Sequence, residues 1–243
     1  MSLPKIAVKN YTITLPISKK RVTYRPFLVK EQKILLSAVE EIREEEDSNK
    51  IQSHLLKNFK NVVNNCIVSS KINLDDLSLV DFNFLFLQIR IASAGESVDV
   101  IYTCECETKK EIKINLDDIK VHFPSKEIEK KIQITNDVGI ILDLPKVRIS
   151  GELTGDSTST DADKVIKVIA SSIKQVYDSE NVYDTNDQTI EEIFEFVESI
   201  PSEKLEEIQE YFNTVPYIEH KKTIDCPNGK EEMVVRNFED FFR

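Results

Sequence analysis

Residues 79–95 read LVDFNFLFLQIRIASAG, and this stretch decides the fold. Asp81 is a suitable N-cap, and Gly95 can adopt the left-handed conformation that ends a helix. The apolar side chains between them cover nearly the whole helix surface, so we expect this helix to be buried on several sides. The small side chains of residues 92–95 would let another backbone approach closely. Arg90 should reach the rim of the core or pair with a carboxylate, because an unpaired buried charge is costly.

The composition is that of an ordinary globular chain with an acidic surface. It has 243 residues, 40% hydrophobic and 31% charged, which permits one large domain or two small ones. The net charge of -11 argues against non-specific binding to nucleic acid or anionic membranes. We expect no membrane span and no signal peptide, and therefore a protein that stays in the cytoplasm where it is made. In that compartment the four cysteines should be thiols or metal ligands rather than disulfides.

The first part of the chain predicts an N-terminal helical subdomain. Apolar and polar residues alternate in Ile6–Leu15, and Val22–Pro26 is a second short extended segment. With residues 16–20 as a turn, the two segments predict a hairpin. Three stretches with helical spacing follow, and the last of them is the apolar helix. Cys66 falls on the apolar stripe of the second stretch and is predicted to be a core residue. We therefore assign residues 1–97 to an N-terminal hairpin and three-helix subdomain.

The pattern changes to strands in residues 98–150. Two alternating strands flank a turn that carries Cys104 and Cys106. Residues 216–243 contain a second hairpin, whose turn carries Cys226. We expect the two hairpins to pack together as a small antiparallel β region.

The segment between the two hairpins, residues 151–215, is predicted to be helical. One helix is expected over Asp163–Tyr177 from its aligned apolar residues, and Asn181–Gln188 is expected to be a polar loop. Thr189 opens a capping box before the next helix. The complete assignment is an α+β fold in which the N-terminal helical subdomain packs with the small β region.

The two cysteine turns resemble the halves of a zinc ribbon. Zinc binds four ligands in a tetrahedron, usually two from each Cys-x2-Cys knuckle. Here the thiols of Cys104, Cys106 and Cys226, with His220 as the fourth ligand, could complete a degenerate zinc site. Neither knuckle has the standard spacing. We therefore favour two packed, zinc-ribbon-like hairpins that hold no metal.

No stretch of the sequence carries a catalytic motif. Gly155-Asp-Ser157 lies in a polar segment and does not follow a buried strand, as an esterase nucleophile would. His122 has no motif around it, and a phosphate-binding glycine loop is missing. The expectation is a protein that is not an enzyme, with no catalytic residues and no cofactor.

Several segments taken together resemble the baseplate hub assembly family of T4-like tailed bacteriophages, the T4 bacteriophage base plate protein family. The similar segments, in chain order, are Leu15-Pro16, Tyr24–Leu36, Leu79–Glu96, Tyr102-Thr-Cys-Glu105, Ile132–Pro145, Glu192–Pro216 and Cys226–Phe242. Their order and spacing carry the resemblance, which runs nearly from end to end. It implies a small tail-assembly protein that helps to build the central hub of the baseplate.

The resemblance also implies partners and a location. We expect a chaperone or scaffold that binds hub subunits in the host cytoplasm during phage assembly. The alternative is a permanent structural subunit of the baseplate hub in the virion tail. Partners would be other baseplate hub or tail proteins, and neither nucleic acid nor a membrane. Phe238, Phe241 and Phe242 are the predicted partner-binding residues, because these phenylalanines need a pocket in this chain or in a partner.

Overall fold

The fold mixes helices with short antiparallel strands. The structure is a computed structural model that describes residues 6–43, 48–68, 72–125, 127, 129–148 and 161–235. Its elements, in order, are β1 (Tyr11–Thr14), β2 (Arg21–Tyr24), α1 (Val29–Arg43), α2 (Ser48–Cys66), α3 (Leu79–Ala94), β3 (Ser97–Thr103), β4 (Lys109–Asn115), β5 (Lys120–His122), β6 (Lys130–Gln133), β7 (Gly139–Leu142), α4 (Asp161–Ser172), β8 (Ile173–Tyr177), β9 (Val182–Asp184), α5 (Ile190–Glu198), α6 (Leu205–Phe212), β10 (Tyr217–Cys226) and β11 (Gly229–Val235).

The strands form four separate antiparallel sheets. β1 pairs with β2 and β3 pairs with β4, while β5 joins β10 and β11 in the order β11-β10-β5. The fourth sheet has the order β6-β7-β8-β9. These small sheets together with the helices confirm the α+β class. Across the described ranges, no helix has the length and apolar character needed to cross a membrane.

Helix α3 lies at the centre of the first core, as its apolar surface predicts. Phe82, Leu85 and Phe86 are each at most 2% exposed. The helix ends where expected, because Gly95 has φ of 90° and its N–H donates to the carbonyl of Ile91. It begins differently, since Ser78 is the N-cap and accepts from the N–H of Asp81. The prediction that Asp81 caps the helix is wrong.

Asp81 instead ties the N-terminal hairpin to the central helix. Its side chain is fully buried and accepts from the N–H groups of Ile17 at 2.8 Å and Ser18 at 2.9 Å. Both donors lie in the turn between β1 and β2. Ser78 can cap the helix with its hydroxyl, which leaves both oxygens of the carboxylate for the hairpin.

Replacing Asp81 with alanine is expected to lower the free energy of unfolding by about 2–3 kcal/mol, because two backbone donors lose a charged acceptor. Asp81→Asn is the matched control and should lose less, since its amide oxygen can still accept one of the two bonds. Urea denaturation followed by far-UV circular dichroism measures both values. An alanine variant as stable as the wild type would refute this role of the carboxylate.

The last turn of α3 allows a close approach of another segment, as its small side chains predict. The N–H of Phe27 donates to the hydroxyl of Ser93 at 2.7 Å. Arg90 stays partly exposed, and one of its guanidinium nitrogens lies 3.4 Å from the carbonyl of Gly95. Burial lowers the pKa of Arg90. The arginine therefore reaches the end of its own helix, at the rim of the core.

The described chain contains two clusters of buried apolar side chains. The first joins the N-terminal hairpin, α2, α3 and the hairpins β3-β4 and β10-β11. The second joins β6–β8 with α4, α5 and α6. Residues 98–150, predicted as one β region, contribute to both clusters: Ile114 lies in the first and Ile140 in the second. Two backbone hydrogen bonds lie where the chain passes between the two clusters. The N–H of Leu79 donates to the carbonyl of Pro145, and the N–H of Val147 donates to the carbonyl of Leu77.

The predicted helix over Asp163–Tyr177 is wrong in its last five residues. Helix α4 ends at Ser172, and the chain continues directly as strand β8. Strand β8 lies between β7 and β9, so two neighbours satisfy its backbone groups. Residues 181–188, predicted as a loop, also contain the short strand β9. Pairing with β7 and with β9 outweighs the local helical pattern here.

Candidate functional site

The two cysteine-bearing hairpins meet at their turns. In the first, residues 104–108 connect β3 to β4, and the N–H of Cys104 donates to the carbonyl of Thr108 at 3.0 Å. Glu107 has φ of 62°, a left-handed conformation that tightens this turn. In the second, Cys226 ends β10 and pairs with Gly229 at the start of β11. Gly229 has φ of 136°, which a side chain would disfavour.

Side chains that cross between the hairpins fix their relative position. The amine of Lys110 donates to the carbonyl of Asp225, and the amine of Lys222 donates to the carbonyl of Lys113 at 2.5 Å. Each lysine thus reaches the backbone of the opposite hairpin. The turns are held together by these polar contacts as well as by the first apolar core.

Three potential metal ligands lie together at this junction. The sulfur atoms of Cys104 and Cys226 and a carboxylate oxygen of Glu231 all lie within 4.8 Å of one another. Cys104 is buried, while Cys226 and Glu231 are partly exposed. We call these three residues the cysteine–carboxylate cluster. It is the one group of three or more metal-ligating side chains found among the described residues.

Two donors from the first hairpin hold the carboxylate of the cluster. The hydroxyl of Tyr102 and the N–H of Glu105 both donate to Oε2 of Glu231 at 3.2 Å. The pKa of Tyr102 is raised, first by burial and then by its bond to Glu231. Because Glu231 belongs to the second hairpin, these bonds connect it directly to the first hairpin, which carries Cys104.

The thiol of Cys226 is held strongly in its protonated form when no cation is present. Hydrogen bonding to Cys104, burial and the nearby Glu231 raise the pKa of Cys226 to about 12. Cys106 differs, because hydrogen bonding to Thr108 lowers its pKa. Cys226 is therefore a poor nucleophile, since the thiolate is the reactive form.

The structure brings together two of the four metal-ligating residues suggested by the sequence. Cys104 and Cys226 are in the cluster, but the sulfur of Cys106 lies 3.3 Å from the hydroxyl of Thr108 instead. His220 lies six residues before Cys226 on β10, about 20 Å away along an extended strand. Its Nε2 is buried without a hydrogen-bond partner in the described part of the chain.

Glu231 is the residue that sequence reasoning missed. It belongs to neither cysteine knuckle, and its only local signal is its position in β11, five residues after Cys226. The predicted partner-binding residues Phe238, Phe241 and Phe242 lie outside the described residues. Their role stays a prediction.

A second feature is an apolar cavity of about 290 Å³ beside the second core. Residues of β8, β9 and α5 line it, among them Val176, Tyr183, Ile193 and Phe196. Its polar wall includes Glu192, which completes the capping box with Thr189 that the sequence predicts. Hydrogen bonds from Thr189 lower the pKa of Glu192, so this carboxylate is ionised and already engaged.

The other carboxylate at the cavity is also engaged. Asp178 accepts from the N–H groups of Glu180 at 2.8 Å and Asn181 at 2.7 Å, and from the hydroxyl of Tyr183 at 3.1 Å. These bonds lower the pKa of Asp178, and the bond to Asp178 raises the pKa of Tyr183. Both shifts stabilise the usual charge states at neutral pH, which is the opposite of what a general acid or base requires.

One comparison with known proteins finds a family whose model matches nearly the whole chain. A family model described as T4 bacteriophage base plate protein matches residues 8–243. No curated protein and no solved structure matches the chain. The family match covers both cysteine-bearing hairpins, both apolar cores and the cavity.

Proposed function

Since the chain belongs to the T4 bacteriophage base plate protein family, we propose that it is a baseplate hub assembly protein, a chaperone or scaffold that binds hub subunits while the tail is built. The observation that carries the proposal is the family match over residues 8–243. A baseplate protein must contact other phage proteins, so its surface is where its function should lie. Its location follows as the host cell during assembly or the virion tail.

Apolar side chains on the outside of the second core support a role in binding proteins. Val182 is 64% exposed and Tyr183 is 42% exposed on β9, an edge strand of its sheet. Val165 and Val168 are also exposed, on helix α4. Edge strands with exposed apolar residues can pair with or pack against another chain. The net charge of -11 would favour partner surfaces that carry positive charge.

The proposed function is non-enzymatic. The two carboxylates at the apolar cavity have lowered pKa values, and both are occupied by hydrogen bonds within their own turns. A catalytic acid or base would instead have a pKa shifted toward neutrality. Protein binding needs no such group and no cofactor.

Quantitative mass spectrometry of assembly intermediates and mature virions from one lysate tests the proposal. We expect to find the chain in intermediates that contain hub subunits. In mature virions, the ratio of the chain to a major tail protein should be lower by at least about tenfold. A transient assembly factor leaves once its subunits have closed around one another, whereas a permanent subunit is retained.

The reference for this ratio is a tail protein that is present in both fractions. If the chain persists in a fixed ratio to that protein in purified virions, it is a permanent structural subunit of the hub, and the assembly-factor proposal fails. If it is missing from hub-containing intermediates as well, binding to hub subunits is refuted.

A further inference from the structure

We propose that Cys104, Cys226 and Glu231 bind one zinc ion that links the two cysteine-bearing hairpins. This ligand set differs from the one suggested by the sequence, because a carboxylate from strand β11 replaces Cys106 and His220. The inference is independent of the assembly role, since it concerns how the two hairpins are joined and not what the chain binds.

The geometry of the cluster suits a tetrahedral ion. Zinc binds thiolate sulfur at about 2.3 Å and carboxylate oxygen at about 2.0–2.2 Å, which places the ligand atoms about 3.4–3.8 Å apart. The three atoms lie within 4.8 Å of one another. The distance between any two of the ligand atoms therefore has to shorten by no more than about 1.4 Å, and both side chains of the pair can contribute to this movement. Small changes in side-chain torsion angles can supply that movement.

The chemistry of the ligands selects the metal. Two thiolates favour a soft or borderline ion and exclude magnesium and calcium, which prefer oxygen. The carboxylate disfavours copper(I), which takes sulfur ligands. Zinc accepts sulfur and oxygen together in a tetrahedron. Cys226 and Glu231 are partly exposed, so water can occupy the fourth position.

Hydrogen bonds from neighbouring groups hold the carboxylate of the cluster in place. The hydroxyl of Tyr102 and the N–H of Glu105 hold one oxygen of Glu231, as outer hydrogen bonds hold metal-binding carboxylates in known sites. Zinc would displace the two thiol protons, and its two positive charges would offset most of the negative charge of the two thiolates and the carboxylate.

The test measures metal in the purified full-length chain under reducing conditions. We expect about one zinc per chain by elemental analysis, and an intense thiolate-to-metal absorption band when cobalt(II) replaces zinc. Cys104→Ser and Cys226→Ser should each abolish the stoichiometric zinc. Glu231→Gln should weaken zinc affinity by at least about tenfold, as measured by competition with a chromophoric chelator.

Cys106→Ser is the matched control, because Cys106 lies in the same turn but outside the cluster. It should retain one zinc and the cobalt spectrum. A reduced wild-type chain that binds no zinc and gives no cobalt–thiolate band overturns the proposal without reference to any variant. Equal loss of zinc in Cys106→Ser and Cys226→Ser would overturn the assigned ligand set. Far-UV circular dichroism of each variant confirms that it is folded.

Discussion

Replacing Phe86 with alanine is expected to lower the free energy of unfolding by about 3–5 kcal/mol. Phe86 is 1% exposed in the middle of α3. Its ring centroid lies 4.8 Å from that of Phe59 on α2 and 6.0 Å from that of Phe27. Alanine would remove contacts to both rings and leave a cavity that rigid helices cannot fill.

Urea denaturation followed by far-UV circular dichroism measures this loss; the chain has no tryptophan to report on it by fluorescence. Phe84→Ala is the matched control, because Phe84 lies on the same helix but is only partly buried. We expect Phe84→Ala to lower the free energy of unfolding by clearly less than Phe86→Ala does. Equal losses at the two positions would contradict the central place of Phe86 in the first core.

Replacing Arg25 with methionine is expected to cost a similar amount, about 3–5 kcal/mol, because the buried carboxylate of Glu31 then keeps only the exposed amine of Lys30, 3.4 Å away, as an ion-pair partner. The guanidinium donates to both oxygens of Glu31, at 3.0 and 3.2 Å, and the side chain of Glu31 is fully buried. It also donates to the carbonyl of Asn65 at 2.8 Å. Arg25 thus connects the end of the N-terminal hairpin to the start of α1 and the end of α2.

The amount by which Arg25→Met lowers the free energy of unfolding should depend on pH. Burial alone would raise the pKa of Glu31, but hydrogen bonds from Arg25 and from the N–H of Leu28, with the charges of Arg25 and Lys30, lower it overall from 4.5. The ion pair therefore stabilises the wild type above pH 4.5, and this contribution disappears as the pH falls through the lowered value. Without Arg25, burial favours the neutral acid.

Denaturation from pH 7 to pH 3 checks this sign. The difference in unfolding free energy between the wild type and Arg25→Met should narrow as the pH falls from 7 to 3. The narrowing starts above pH 4.5, because burial without Arg25 raises the pKa of Glu31, and it continues through the lowered pKa of the wild type. The double variant Arg25→Met/Glu31→Gln is the control, and it should be more stable than Arg25→Met at neutral pH, since it buries no unpaired charge. A pH-independent difference, or no recovery in the double variant, would contradict the proposed cause.

Much of the local structure follows from the sequence. The end of α3 at Gly95 and the capping box of Thr189 and Glu192 were predictable, because each depends on residues within one helical turn. The burial of Cys66 followed from helical spacing. Both cysteine turns were predictable as hairpin turns, since alternating residues flank a short polar segment.

Two local expectations failed because distant residues decided them. Residues 173–177 have helical spacing, yet they form β8, whose backbone pairs with β7 and β9. Tyr177 lies across Gly139 of β7, where an added Cβ would come within 2.0 Å of its hydroxyl. Asp81 has the right residue type for a helix cap, but Ile17 and Ser18 recruit its carboxylate.

The sequence by itself determined the α+β class, the apolar central helix and the hairpins that carry Cys104 and Cys226, because periodicity and turn chemistry act between near neighbours. It also carried the resemblance to the baseplate family. Only the tertiary structure decided that Glu231 joins the two cysteines while Cys106 and His220 do not. The packing of two hairpins that belong to separate sheets, and that the second core separates along the chain, sets that grouping. No local pattern encodes how such distant segments pack.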